Sequence, residues 1–161
     1  MLVKSLVLAL ATLATLPSAM AAEPLATIAH KAILTLATAQ QIATQARKVA
    51  ADKGWPCALA IVDDGGWPIL TTRMDGAPVV AGIELAQGKA RTSALFKRPS
   101  ADLENAINGG RQAAVTAGLL MMKGAQPIIL EGQVVGAIGI SADTPAHDDE
   151  IALAAVASVH P

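Results

Sequence analysis

The chain has 161 residues, no basic run and a formal net charge of −1, which makes nucleic acid a poor partner. Its aromatic side chains are Trp55, Trp67 and Phe96, too few for a platform on which bases stack. The single cysteine, Cys57, excludes an intrachain disulfide.

In chain order, the first residues read as a secretory leader. Lys4 supplies the positive n-region, residues 5–16 form an apolar h-region, and Pro17 and Ser18 break it. Ala19-Met20-Ala21 then gives the small-x-small pattern that signal peptidase accepts. Cleavage there leaves one domain, 22–161, exported to the periplasm or beyond the cell. A membrane anchor is the competing reading, but twelve apolar residues fall short of the roughly 20 that span a bilayer core. No later stretch is long and apolar enough to span one.

After a loose arm, Thr35 can cap a helix over 36–53, whose Ala-rich apolar positions share one face, with Gly54 as its terminator. The nearly all-apolar run 56–63 predicts a strand covered on both faces, with Cys57 at its start as a small buried hydrophobe or, alternatively, a reactive thiol. Asp63-Asp64-Gly65-Gly66 is a tight turn into a partner strand over 67–75. A helix with Gly82 and Gly88 inside it comes next, over 81–96; those glycines invite another backbone or a flat ligand. Ser100 is expected to cap a further helix that ends near Asn108-Gly109-Gly110, and 111–122 is ambiguous, helical at its start. A second hairpin spans 125–141 with its turn at Glu131-Gly132, and Thr144-Pro145 starts a last helix that runs to Ala157. The order α-β-β-α-α-β-β-α, with hairpins in place of crossovers, predicts an α/β (α+β) domain with an antiparallel sheet flanked by helices.

No nucleophile elbow, P-loop, HExxH or CxxC motif is present. Histidines therefore come first as candidates for binding iron or moving protons near neutral pH. His30 lies in the arm, as a mobile exposed side chain or a ligand. His147 opens the last helix, either as a structural residue or as a ligand, and His160 is penultimate. His147 and Glu150, one helical turn apart, could share a metal, although acidic residues also suit a helix N-terminus. Arg73, Lys89 and Arg91 could hold carboxylates if they rim a pocket; otherwise they are salt-bridged surface. Met74 is a candidate soft iron ligand or a packed core residue. An enzyme would need a convergent acid–base set, for which the chain offers Asp63, Asp64, Glu84 and the histidines, none clearly paired.

Four segments, VDDGG, RMDGAP, KARTSALFKRPS and GQVVGAIGISADTPAHDDEIA, resemble in order and spacing the GlcG/HbpS family of heme-binding proteins, which includes the C-terminal domain of PduO. The likeness covers 34–159. It implies a profilin-like three-layer domain, a homo-oligomer and heme or a related tetrapyrrole as ligand. It also implies heme or iron handling for secreted members, and glycolate or diol metabolism for cytoplasmic ones. Two departures stand out. The family usually reads GGxP where this chain has Gly124-Ala125-Gln126-Pro127, and SGGT or SGxT where it has Ser141-Ala142-Asp143-Thr144.

The resemblance fixes no axial ligand. If heme binds, elimination among His, Met, Cys and Tyr leads to His30 or His147 on the iron. Arg73, Lys89 or Arg91 would then stand near the propionates, Gly88 and Thr92 would offer a face free of bulk, and Met74 or Met121-Met122 could supply a sulfur ligand. The competing expectations are an accessory homo-oligomer without a small ligand, and an enzyme acting on a small organic acid or tetrapyrrole.

Overall fold

The computed structural model describes residues 30–159, so the expected leader and His160 lie outside the described residues. The chain divides into a short N-terminal unit, Met1–His30, and a body, Lys31–Pro161, which carries the described helices and strands.

Helix α1 spans Leu36–Lys53, as expected from its signals. The Thr35 hydroxyl accepts from the Thr38 N–H, and Gly54 ends the helix at φ 69°, a left-handed conformation that glycine adopts without a Cβ penalty. Strands β1 (Ala58–Asp63) and β2 (Pro68–Arg73) form the first hairpin. In its turn the Asp63 carboxylate accepts from the N–H groups of Gly65 and Trp67. Helix α2 spans Gly82–Phe96 and α3 Ser100–Asn108; a 3-10 turn, Gln112–Ala117, is what becomes of the ambiguous segment. Strands β3 (Ala125–Leu130) and β4 (Gln133–Ser141) meet at Glu131 and Gly132, both at positive φ, as a two-residue hairpin turn requires. Helix α4, Pro145–Ala157, starts at Thr144, whose hydroxyl accepts from the His147 N–H.

One expectation needs correcting. Ser100 is not a cap: its hydroxyl accepts from the Ala125 N–H at 2.9 Å, pinning α3 to the start of β3.

The sheet order is β2-β1-β4-β3, antiparallel throughout, so the expected fold class is observed. Edge strands β2 and β3 carry Pro68 and Pro127, which a central ladder would not tolerate. Alternation sends Leu59, Ile61, Ile138 and Ile140 to the face covered by α1 and α4, where Ile42, Ala46, Ile151 and Ala155 complete the main core. The opposite face turns Val62 and Ala137 toward Ala90 and Ala94 of α2. There α2 approaches so closely that a Cβ on Gly139 would collide with the Ala86 carbonyl oxygen. Among the described residues, no helix is long and apolar enough to cross a membrane.

Candidate functional site

The Ala58–Ser141 pairing brings the start of β1, the end of β2, the end of β4 and the N-terminus of α4 to one end of the sheet. Three backbone signals then place side chains there. Gly54 turns the chain after α1 so that the Trp55 N–H donates to the Ala50 carbonyl, which sets the indole beyond the helix end. Thr144 starts α4 and puts His147 in its first turn. Asp143 precedes His147 by four residues, within reach of its ring.

The resulting group is compact. The His147 Nδ1 lies 2.7 Å from an Asp143 carboxylate oxygen, and its ring stacks on Trp55 with centroids 3.6 Å apart and planes 8° from parallel. That hydrogen bond to His147 holds the Asp143 carboxyl below its usual range, so Asp143 is ionised at neutral pH and accepts from Nδ1–H. In a neutral ring that bond leaves the lone pair on Nε2, which makes no hydrogen bond among the described residues. Lys53 Nζ stands 4.8 Å from the Trp55 ring and pairs with Glu150 at 2.6 Å, so Glu150 is engaged elsewhere than at His147. Among the described residues, no three His, Cys, Asp or Glu side chains converge on a bare metal ion.

The neighbouring Asp148 turns inward. Its carboxylate takes the Lys89 ammonium at 2.6 Å and the Ala142 N–H, while Lys89 also donates to the Ile140 carbonyl at 3.1 Å. Burial pushes the Asp148 carboxyl up, and the bonds from Lys89 and Ala142 oppose that rise. Gly124, at φ 117°, keeps the space clear, since a Cβ there would meet the Asp148 Cβ at 2.6 Å.

The other expected site residues scatter. Met74 packs against the main core with its sulfur 3.9 Å from the Cys57 thiol. Cys57 is fully buried, and burial pushes its thiol up to about 11, the state of an inert thiol. Arg73 sits on the α2 side of the sheet and donates to the Ala77 carbonyl at 3.1 Å. Lys89 is closed inside the fold by Asp148, and Thr92 is fully buried with its hydroxyl between the Gly88 and Leu120 carbonyls. The bare face at Gly88 is filled by Leu120, whose side chain a Cβ at Gly88 would meet at 2.9 Å. Gly82 similarly faces Ala58 and Ser141, so both helix glycines serve contacts within the chain. Arg91 lies at the opposite end of the sheet, 5.6 Å from the Trp67 ring, beside an open cavity of about 340 Å³ that Glu84 also lines. His30 is exposed and belongs to the N-terminal unit. Of the possible acid–base groups, Asp63 is spent on its turn and Asp64 pairs with Lys31.

Trp55 and Asp143 are the functional candidates that sequence reasoning missed. The position of Asp143 carries the signal for one of them: it directly precedes the Thr144 cap, where a short acidic side chain can reach the first turn of the helix.

Comparison with known proteins agrees with this architecture. Residues 34–157 match a family model described as HbpS-like, haem degrading protein HbpS-like. Protein GlcG of Escherichia coli K12 is 40% identical over 113 residues, covering 69% of this chain and 83% of GlcG. A double mutant of Streptomyces reticuli HbpS superposes with a TM-score of 0.76 at 27% identity, covering 88% of this chain and 99% of that one. A PduOC–heme complex superposes with a TM-score of 0.72 at 25% identity, covering 80% and 96% of the two chains.

Proposed function

The chain belongs to the HbpS-like family, and on that premise we propose that it is an exported heme-binding protein of heme or iron handling, with His147 as the protein ligand to iron. The observation that carries the proposal is the pose of His147. Asp143 fixes its Nδ1, Trp55 fixes its plane, and Nε2 is left as the free donor atom. A carboxylate behind a ligating imidazole sets the tautomer and raises the basicity of the other nitrogen. The residues present therefore fit a heme iron, for which a single histidine suffices. When bound, heme supplies a redox-active iron.

The chain's own groups divide the remaining work. Trp55 offers an apolar plane beside the ligand. Lys53 stays over the Trp55 ring, and its exposed pair with Glu150 can be exchanged for a propionate at little cost. Lys89 has no such freedom, because releasing it would strand a buried carboxylate. Support from the relatives is that one neighbour of this fold is a heme complex. Export rests on the leader read in 1–21, and homo-oligomerisation on the family likeness.

Hemin titration tests the reading. A saturable Soret band is expected, and His147→Ala should shift its position and weaken binding about tenfold or more, while His30→Ala leaves both unchanged. Wild-type Soret position and affinity in His147→Ala would overturn the assignment. Light scattering that returns the mass of one mature chain at all micromolar concentrations would overturn the oligomer.

A further inference from the structure

The 3-10 turn Gln112–Ala117 is unusual in what it lacks: none of its residues is buried. It is bracketed by Gly110 at φ 103° and Gly118 at φ 68°, left-handed conformations that leave the segment joined to the body by two glycine corners. Beneath it lies a cavity of about 270 Å³ floored by Leu103 and Met121 and walled by Phe96 and Ala106. Its polar side chains are Arg111 and Thr116. The Arg111 guanidinium makes no ion pair among the described residues, although it sits where the 3-10 turn begins. An apolar hollow left open beneath a segment that is itself unburied gains stability when an apolar body fills it.

We propose that this cavity is a second ligand site, distinct from the His147 group, that takes an amphipathic monocarboxylate: an apolar body against Leu103, Met121 and Phe96, and a carboxylate on Arg111. Size and charge choose the class. A protein cavity of about 150 Å³ accepts benzene, so about 270 Å³ admits a body of roughly eight carbons. A single planar guanidinium matches one carboxylate in bidentate geometry. The residues that line this cavity are not members of the Asp143, His147 and Trp55 group, so the inference stands whether or not heme binds.

The test uses octanoate, with octan-1-ol as the uncharged twin, read by calorimetry and by the methyl resonances of labelled methionines in the full mature protein. Octanoate should bind saturably and move the Met121 methyl. Arg111→Met should weaken octanoate about tenfold and leave octan-1-ol unchanged, because only the charged contact is lost. Filling the hollow with Ala106→Leu should weaken both. Absence of saturable octanoate binding up to about 10 mM overturns the proposal. So does unchanged octanoate affinity in Arg111→Met, an exposed substitution that leaves the core intact. If the Met121 methyl instead moves with protein concentration and not with octanoate, a second copy fills the hollow and the proposal falls.

Discussion

The two faces of the sheet are packed by opposite means. Toward α1 and α4 the strands present Leu59, Ile61, Ile138 and Ile140, a thick aliphatic layer in which side chains fill the space. Toward α2 they present Ala58, Ala60, Ala137 and Gly139, and backbone nearly touches backbone. The thick face gains from apolar area, about 25 cal/mol per Å² removed from water. The thin face has less area to remove, and polar pins hold its helix instead: Lys89 to Asp148 and to the Ile140 carbonyl of β4, and Thr92 to the Leu120 carbonyl. Thickness tolerates repacking, whereas closeness does not.

The largest effect expected from this contrast is on the thin face. Gly139→Val puts two methyls into the α2 backbone and should cost more than about 4 kcal/mol, or prevent folding, as read by urea denaturation. A loss under about 1 kcal/mol would show that α2 can simply lift away, and the contrast would break.

The pins come next. Asp148→Ala strands the buried Lys89 ammonium and should cost about 3–5 kcal/mol, while the double change Lys89→Met with Asp148→Leu should recover most of that loss. If the double variant is no better than the single one, the pair matters through packing and not through charge.

The smallest effect concerns the thick face and appears in alkali. The Cys57 thiol, buried in the main core, is raised from 9.0 to about 11. The unfolded chain therefore ionises first, and this contribution to stability, complete below pH 9, falls away as pH rises toward about 11. Over that window about 3 kcal/mol should disappear, and Cys57→Ala should remove the slope while lowering the starting stability. A parallel pH profile for the two proteins would place Cys57 in a wetter site than the structure gives it.

Much of the architecture was legible because its signals are local. Thr35 with Gly54, Glu131-Gly132 and Thr144-Pro145 each specify a boundary by the chemistry of two residues, and each boundary falls where that chemistry puts it. Ser100 misled because a serine before a helix can serve either as a cap or as a long-range anchor, and the Ala125 N–H is 25 residues away. The Lys89–Asp148 pair was out of reach for the same reason, its partners standing 59 positions apart. At the candidate site, His147 was visible as a chemical type. Its plane was not, because Trp55 reaches it only after α1, turned by Gly54, is packed against α4. Gly88 signals a close neighbour, another backbone or a flat ligand, but nothing in the order of residues shows that the neighbour is the Leu120 side chain.

The edge prolines have a consequence for how copies of this chain meet. An outer strand normally offers a row of free amides on which another molecule can continue the ladder without limit. Pro127 interrupts that row in β3 and Pro68 does so at the head of β2. Ribbon-like growth through the sheet is thereby discouraged at both margins, even where many newly folded molecules crowd together. Any association between copies is left to side-chain surfaces, where a self-complementary patch closes on itself and does not propagate.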